Sequence, residues 1–169
     1  MFQIQDIKEH KEKGDIRWDH CLSKVIFEQK QGYQIPGLLL ERKSKPSDTL
    51  LVFCDDQGKW AGMENQNFLT QATGFLSRQV EEGEKSILSL DLSGFGELTP
   101  QPASYDLASW NKKERIVSYI AIFLGDSIVG KRVREIMDIL FHVQKTYSYK
   151  KIELGGRGKA SLPILLASY

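Results

Sequence analysis

Runs of apolar residues without polar alternation recur along the chain and predict strands that are covered on both faces. TLLVFCDD (49–56) is such a run, SILSLDL (86–92) is predicted as another buried strand, and KKIELGG (150–156) is predicted as the last strand. Upstream, KVIFEQKQGYQIPGLLLERK (24–43) contains two extended stretches around Gln31-Gly32, which predicts a β-hairpin. Pro36 has no N–H to donate, so it predicts that the second hairpin strand is interrupted or lies at a sheet edge.

Apolar residues at helical spacing predict helices between and after these strands. The predicted helices are Glu64–Glu82, Lys112–Phe123, Ile128–Thr146 and one that starts at Lys159 and continues to Tyr169. A polar, exposed helix is predicted from about Ile4 to Lys13, ending at Gly14, within a polar N-terminal extension of residues 1–20.

The longest predicted helix, 128–146, carries an apolar set and a charged set of positions. The predicted apolar face consists of Val133, Ile136, Met137, Leu140, Phe141 and Val143. The predicted solvated face consists of Arg132, Arg134, Glu135 and Asp138.

The order of these elements predicts one α/β domain over residues 1–169. It has an N-terminal β-hairpin followed by a mostly parallel sheet with helices on both faces. Ligands of such sheets bind outside the carboxyl ends of parallel strands. A functional site is therefore predicted among Asp55–Trp60, Ser93–Thr99 and Gly155–Lys159.

Composition argues against several kinds of partner. With 23 Lys and Arg against 22 Asp and Glu, the net charge recruits neither nucleic acid nor an anionic membrane. The two cysteines, Cys21 and Cys54, match no zinc or disulfide pattern, so neither a metal nor a cofactor is expected. The first twenty residues are too polar for a secretory signal, and no apolar run approaches the ~20 residues of a membrane span. The native compartment stays open.

Three segments together resemble one family. YQIPGLLLERK followed by LLVFCDDQGKWAG is similar to the second and third strands of acetyl-xylan-esterase-like α/β-hydrolases. LSLDLSGFGEL resembles the Asp-Leu-Arg-Gly-x-Gly-Glu signature of that family, with Ser93 at the Arg position. LGDSIVGKRVREIMDIL resembles its Gly-Arg-Ser-Leu-x-Gly-x-Arg helix, with Asp126 at the first Arg. The resemblance covers roughly residues 24–169 and implies a partial α/β-hydrolase fold.

In that family the next strand ends in a nucleophile elbow, G-x-S-x-G. The corresponding turn reads Gly156-Arg157-Gly158-Lys159-Ala160, so the resemblance places Gly158 at the nucleophile position, flanked by Arg157 and Lys159. Gly156 and Ala160 keep the small residues that the crowded turn requires. Ser161, three residues further on, is interpreted as a helix-start residue.

The loop that supplies the second oxyanion donor is also altered. It reads Cys54-Asp55-Asp56-Gln57-Gly58, which makes Asp56 and Gln57 the oxyanion-loop positions. Two carboxylates beside a developing alkoxide oppose it electrostatically. The triad acid and His follow the nucleophile in this fold, and no His, Asp or Glu follows Gly158. The chain as given is therefore predicted not to be catalytically competent.

The last segment, LPILLASY (162–169), is an apolar helix without a stop signal. It predicts either a truncated fold that lacks its C-terminal half or a homo-oligomer.

Alternative interpretations of these residues remain open. Gly156–Ser161 is a weak match to the dinucleotide-binding G-x-G-x-x-G/A turn. Cys54 is either a nucleophile at a strand end or a small apolar side chain buried in the strand. Asp91 is expected to organise the following glycine turn. Three loop aromatics are candidates for stacking on a sugar: Trp60, Tyr105 and Trp110.

Two hypotheses for function follow. In the first, the protein is a carbohydrate-esterase-like hydrolase that acts on a carbohydrate ester or polysaccharide. In the second, it is a pseudo-esterase domain that binds carbohydrate or protein.

Overall fold

A computed structural model describes residues 8–17, 20–29, 32–44, 46–61, 85–100 and 110–169. The strands are Lys8–Arg17 (β1), His20–Glu28 (β2), Gln34–Arg42 (β3), Thr49–Asp55 (β4), Ser86–Leu90 (β5) and Lys151–Arg157 (β6). The described α-helices are Trp110–Phe123 (α1), Ile128–Thr146 (α2) and Ser161–Ala167 (α3), with short 3₁₀ helices at Gly96–Leu98 and Gly158–Ala160.

The six strands form one mixed sheet in the order β1-β2-β3-β5-β4-β6. The pairs β1–β2, β2–β3 and β3–β5 are antiparallel, whereas β4 lies parallel to both β5 and β6. The predicted partial α/β fold, with its hairpin before the parallel strands, is confirmed. In the β4–β6 register, Asp55 lies opposite Arg157, which brings the ends of these two strands together.

The prediction of a polar helix from about Ile4 to Lys13 is wrong for residues 8–13, which belong to the strand Lys8–Arg17. This strand, β1, pairs with β2 from Lys8↔Glu28 to Arg17↔His20. A segment this polar has no apolar stripe to bury as a helix, whereas the ladder satisfies one edge of its backbone. The register shifts between Lys13 and Ile16, around Gly14.

The predicted hairpin is β2–β3, but the expectation for Pro36 is wrong. β3 is an uninterrupted internal strand between β2 and β5. Pro36 is tolerated because its carbonyl accepts from Asp91 N at 3.0 Å beyond the last β3–β5 pair, Gly37↔Leu90. The C=O and N–H of one strand residue point to the same neighbouring strand. The N–H that Pro36 lacks would therefore point toward β5, where the β3–β5 ladder has already ended.

The predicted helices at 112–123 and 128–146 correspond to α1 and α2. The side chain of Ser127 accepts from Gly130 N at the start of α2, which is a typical N-cap. The predicted helix Glu64–Glu82 lies outside the described residues. None of the described helices is long and apolar enough to cross a membrane.

The main core lies between one face of the sheet and the helices α2 and α3. Val52 and Leu88 from the sheet pack there with Ile136, Ile139 and Ile164 from the helices. Neighbouring strand residues that point to the opposite face, such as Leu51 and Ile87, are buried as well. The carboxyl ends of β4, β5 and β6 therefore emerge from a sheet with two buried faces.

Candidate functional site

A sharp strand-to-helix turn follows β6, and we call residues 156–160 the β6–α3 turn. Its backbone reverses at Gly158, which has φ +61° and begins the short 3₁₀ helix that leads into α3. The turn is crowded: a β-carbon on Gly156 would lie 2.9 Å from the Cα of Ser161, and Ala160 is fully buried. The small residues here are therefore a requirement of the backbone geometry.

The carboxylate of Asp56 lies directly against this turn. Its Oδ2 accepts a hydrogen bond from the backbone N–H of Lys159 at 3.0 Å. A β-carbon on Gly158 would come within 2.5 Å of Asp56 Cγ, which is far closer than any real contact. Asp56 thus occupies the space into which a side chain at position 158 would project.

Asp55, at the end of β4, is fully buried beside the turn. Its Oδ1 accepts from Gln57 N at 2.9 Å, while Oδ2 has no hydrogen-bond partner in the part of the chain that is described. Arg157 Nε lies 3.5 Å from Oδ2, which is an ion pair rather than a hydrogen bond. Burial raises the pKa of Asp55, although the Gln57 amide and the Arg157 charge partly offset this.

The other predicted residues in and beside the β6–α3 turn are more exposed than Asp55. Gln57 donates from Nε2 to Asp56 Oδ1 at 3.3 Å on the surface. Arg157 is half-buried and Lys159 is exposed. The structure therefore brings Asp56, Gln57, Arg157, Gly158 and Lys159 together, as expected from the parallel strand ends.

A second carboxylate organises the loops after β4 and β5. Asp91, 1% exposed, accepts from Lys59 N at 2.5 Å, from Lys59 Nζ at 2.7 Å and from Glu97 N at 3.1 Å. Gly96 has φ +51°, and a β-carbon there would lie 2.6 Å from Asp91 Oδ2. The predicted role of Asp91 in the glycine turn is confirmed, and it also holds the Lys59 loop.

Solved structures, rather than related sequences, identify this architecture. No family model and no curated protein sequence matches the chain. Among solved structures, a Bacteroides fragilis protein assigned as an acetyl xylan esterase matches with a TM-score of 0.73 and 19% identity, over 97% of this chain and 45% of its own. The chain has the fold of these esterases.

Two further solved structures agree with this fold. Acetyl Xylan Esterase 1 from a Thermoanaerobacterium species matches with a TM-score of 0.58 and 12% identity, over 94% of this chain and 48% of that one. A cold-adapted esterase from an Arctic intertidal metagenomic library matches with a TM-score of 0.58 and 15% identity, over 90% and 57%. The chain thus spans about half the length of these solved structures.

Of the three candidate aromatics, Trp60 is the one whose side-chain surroundings are described. Trp60 is half-buried and lines a cavity of about 160 Å³ beside Lys59 and Glu97. Trp110 is the first residue of α1. Tyr105 lies outside the described residues. Trp60 is therefore the candidate whose surroundings can be argued further.

The prediction that the charged residues of α2 form a solvated face is wrong for three of the four. Arg132 and Glu135 are 1% exposed and Asp138 is 5% exposed, whereas Arg134 is partly exposed and pairs with Asp126. The predicted apolar face is rotated accordingly, because Met137 is 37% exposed. The buried positions of α2 are Ile128, Arg132, Glu135, Ile136, Asp138, Ile139 and Val143.

Burial of these charges is compensated by partners from other elements. The guanidinium of Arg132 makes two hydrogen bonds to Glu114, at 2.7 and 2.8 Å, and donates to the carbonyl of Ser93 at 2.8 Å. It also lies 3.7 Å from the centre of the Phe95 ring. Removing one partner of such a buried ion pair is strongly destabilising, because the other charge is left uncompensated.

Glu135 occupies the same buried cluster. It accepts from Ser93 N at 2.9 Å and from the Ser93 hydroxyl, which also contacts Tyr33 OH at 2.7 Å. Burial raises the pKa of Glu135 in spite of these bonds. Sequence reasoning missed this cluster, although Arg132 and Glu135 share a helical stripe with Ile128, Ile136 and Ile139.

Cys54 fits the buried hydrophobe rather than a nucleophile. Its side chain is fully buried in β4, and burial raises the pKa of its thiol far above the ordinary range. A thiol that stays protonated is a poor nucleophile. Within the described ranges, no group of three or more His, Cys, Asp or Glu side chains is arranged to hold a metal ion.

Proposed function

We propose that this chain is an α/β-hydrolase-fold domain whose elbow does not carry out acyl transfer and whose role is to bind a ligand. One observation supports the absence of acyl transfer most directly: the Asp56 carboxylate lies where a nucleophile side chain on residue 158 would stand. A hydroxyl at that position would first have to displace the Asp56 carboxylate.

The second argument concerns the oxyanion hole. In this fold one donor is the backbone N–H of the residue after the nucleophile. If Gly158 is the nucleophile position, that donor is Lys159 N–H, which already donates to Asp56. A carboxylate at this place repels a developing alkoxide, and loss of one oxyanion donor alone costs about 10²–10³ in rate. Both arguments depend on the turn itself and not on residues beyond the chain.

Ester hydrolysis on an acetylated carbohydrate is the competing function, because the similar solved structures are described as acetyl xylan esterases and an esterase. The two candidates differ in what they require of the β6–α3 turn. Hydrolysis needs a reactive hydroxyl and an available amide there, whereas binding needs neither.

A fluorophosphonate probe tests the proposal, since it labels activated serine nucleophiles covalently. We expect no labelling of the purified protein and no turnover of p-nitrophenyl acetate above a heat-denatured sample. Ser161, exposed in the first turn of α3, is the nearest hydroxyl along the chain, and Ser161→Ala is the matched variant. Labelling that mass spectrometry maps to residues 156–161 and that Ser161→Ala abolishes would overturn the proposal.

A further inference from the structure

A cavity of about 160 Å³ lies beside the outer face of the β2–β3 pair and away from the β6–α3 turn. Its floor is built from three cross-strand pairs, Lys24↔Leu38, Val25↔Gly37 and Ile26↔Pro36. The loops after β4 and β5 supply the wall. The wall residues are Lys59, Trp60 and Glu97.

Lys59 is held in this wall by two carboxylates. Its side chain is 5% exposed, and its Nζ lies 2.7 Å from Asp91 Oδ2 and 2.7 Å from Glu97 Oε1. An ammonium group has three N–H donors, and the described part of the chain supplies acceptors for two of them. A buried charge that lines a cavity gains from an additional acceptor, because an unsatisfied donor out of water is costly.

Glu97 offers the complementary group. Its Oε1 is taken by Lys59, while the carboxylate as a whole is 61% exposed at the cavity wall. The carboxylate can therefore accept hydrogen bonds from a ligand beside a fixed ammonium donor. Such hydrogen bonds to charged groups are stronger than neutral ones.

The charges around the cavity cancel. Two cations, Lys24 and Lys59, face two anions, Glu97 and Asp91, the second of which lies behind Lys59. A balanced site gives no net attraction to an anionic or a cationic ligand. It suits a neutral ligand whose hydroxyl groups both donate and accept.

Trp60 and the floor add an apolar surface. Half-buried Trp60 lines the same cavity as Ile26 and Leu38. Indole rings combine a large apolar area with an N–H donor, which suits a ligand with one apolar and one polar side. A pyranose ring has this character, with C–H groups on its faces and hydroxyls at its rim.

We propose that this cavity binds a single neutral sugar ring, in free form or at the end of a glycan. The inference deepens the proposed binding function by naming its ligand class. It uses a cavity that is separate from the β6–α3 turn, so each proposal can fail without the other.

The test is a titration of the whole chain with neutral sugars, glucose and xylose, followed by NMR. Glucuronate and glucosamine serve as the anionic and cationic comparison ligands. We expect saturable binding of at least one neutral sugar and weaker binding of both charged ones. Trp60→Ala should weaken the affinity about 10-fold or more, and Glu97→Gln should weaken it several-fold.

Phe123→Ala is the matched control, because Phe123 is an aromatic residue that is 91% exposed on α1. Its affinity should equal that of the parent chain. Glu97→Gln keeps the size of a surface side chain, so it remains informative if Trp60→Ala fails to fold. Two results would overturn the inference: absence of binding by both neutral sugars, or equal affinity in the parent, Trp60→Ala and Glu97→Gln proteins. Fluorophosphonate labelling would count only against the proposed non-catalytic turn.

Discussion

Asp56 and Asp91 follow neighbouring parallel strands, and each carboxylate lies against a glycine with positive φ. They differ in burial and in partners. Asp91 is 1% exposed and holds a buried lysine together with two backbone amides, whereas Asp56 is half-buried and holds the Lys159 amide and a surface glutamine. The carboxylate of Asp91 therefore stabilises the loops around Gly96, whereas the carboxylate of Asp56 fills the space above Gly158.

The largest effect is expected for Asp91→Ala. It leaves the buried Lys59 ammonium with the exposed Glu97 as its ion-pair partner. Removing one partner of a buried ion pair costs about 3–5 kcal/mol, which we expect as the loss in the free energy of unfolding, measured by urea denaturation.

Asp48→Ala is the control for that loss, because Asp48 and Lys150 form an ion pair whose side chains are 64% and 78% exposed. Exposed pairs contribute about 0–1 kcal/mol. A similar loss in the two variants would show that Asp91 is no more important than a surface carboxylate.

Alanine substitutions at three glycines with positive φ distinguish the cost of steric overlap from the cost of backbone strain. An alanine in the left-handed region costs about 1–2 kcal/mol by itself, and Gly125 measures this cost, since a β-carbon there meets no atom within 4 Å. Gly96→Ala must also displace the buried Asp91, so it should cost the most. Gly158→Ala should fall between these two, because the half-buried Asp56 can move. Equal losses of unfolding free energy in all three variants would contradict the steric argument.

The strands β2–β6 and the helices α1 and α2 were predictable because their patterns are local properties of the sequence. β1 was not, since a polar strand gives no apolar pattern and depends on β2 for its pairing. Burial of Arg132 was not predictable either, because Glu114 and Ser93, which compensate its charge, come from other elements.

At the candidate site, the resemblance pointed to Asp56 and Gly158 separately. Their contact depends on the β4–β6 register, in which Asp55 lies opposite Arg157.

A third carboxylate, Glu135, extends the comparison to pH. Burial raises its pKa, against the opposing effects of its Ser93 bonds, Lys131 and Arg132, while Tyr33 lies in the same cluster. A carboxyl whose folded pKa exceeds its unfolded value contributes stability that is present below the unfolded pKa and is lost as pH rises through the folded pKa.

Glu135→Gln should therefore gain stability relative to the parent chain as pH rises above the ordinary range of a glutamate. Urea denaturation of both proteins at several pH values from the acidic range to neutrality measures this difference. A difference that stays constant with pH would mean that Glu135 has the same pKa in the folded and unfolded states.

The smallest effect is expected for Asp56→Ala, and it isolates what distinguishes the two aspartates. The variant loses the surface hydrogen bonds from the Lys159 amide and from Gln57, and a bond of this kind contributes about 0.5–1.5 kcal/mol. It also removes the three nearest atoms that a β-carbon on Gly158 would meet. In the Asp56→Ala background, Gly158→Ala should therefore cost only what Gly125→Ala costs. Residues in direct contact couple in this way, so a double-mutant cycle without coupling would mean that Asp56 does not restrict position 158.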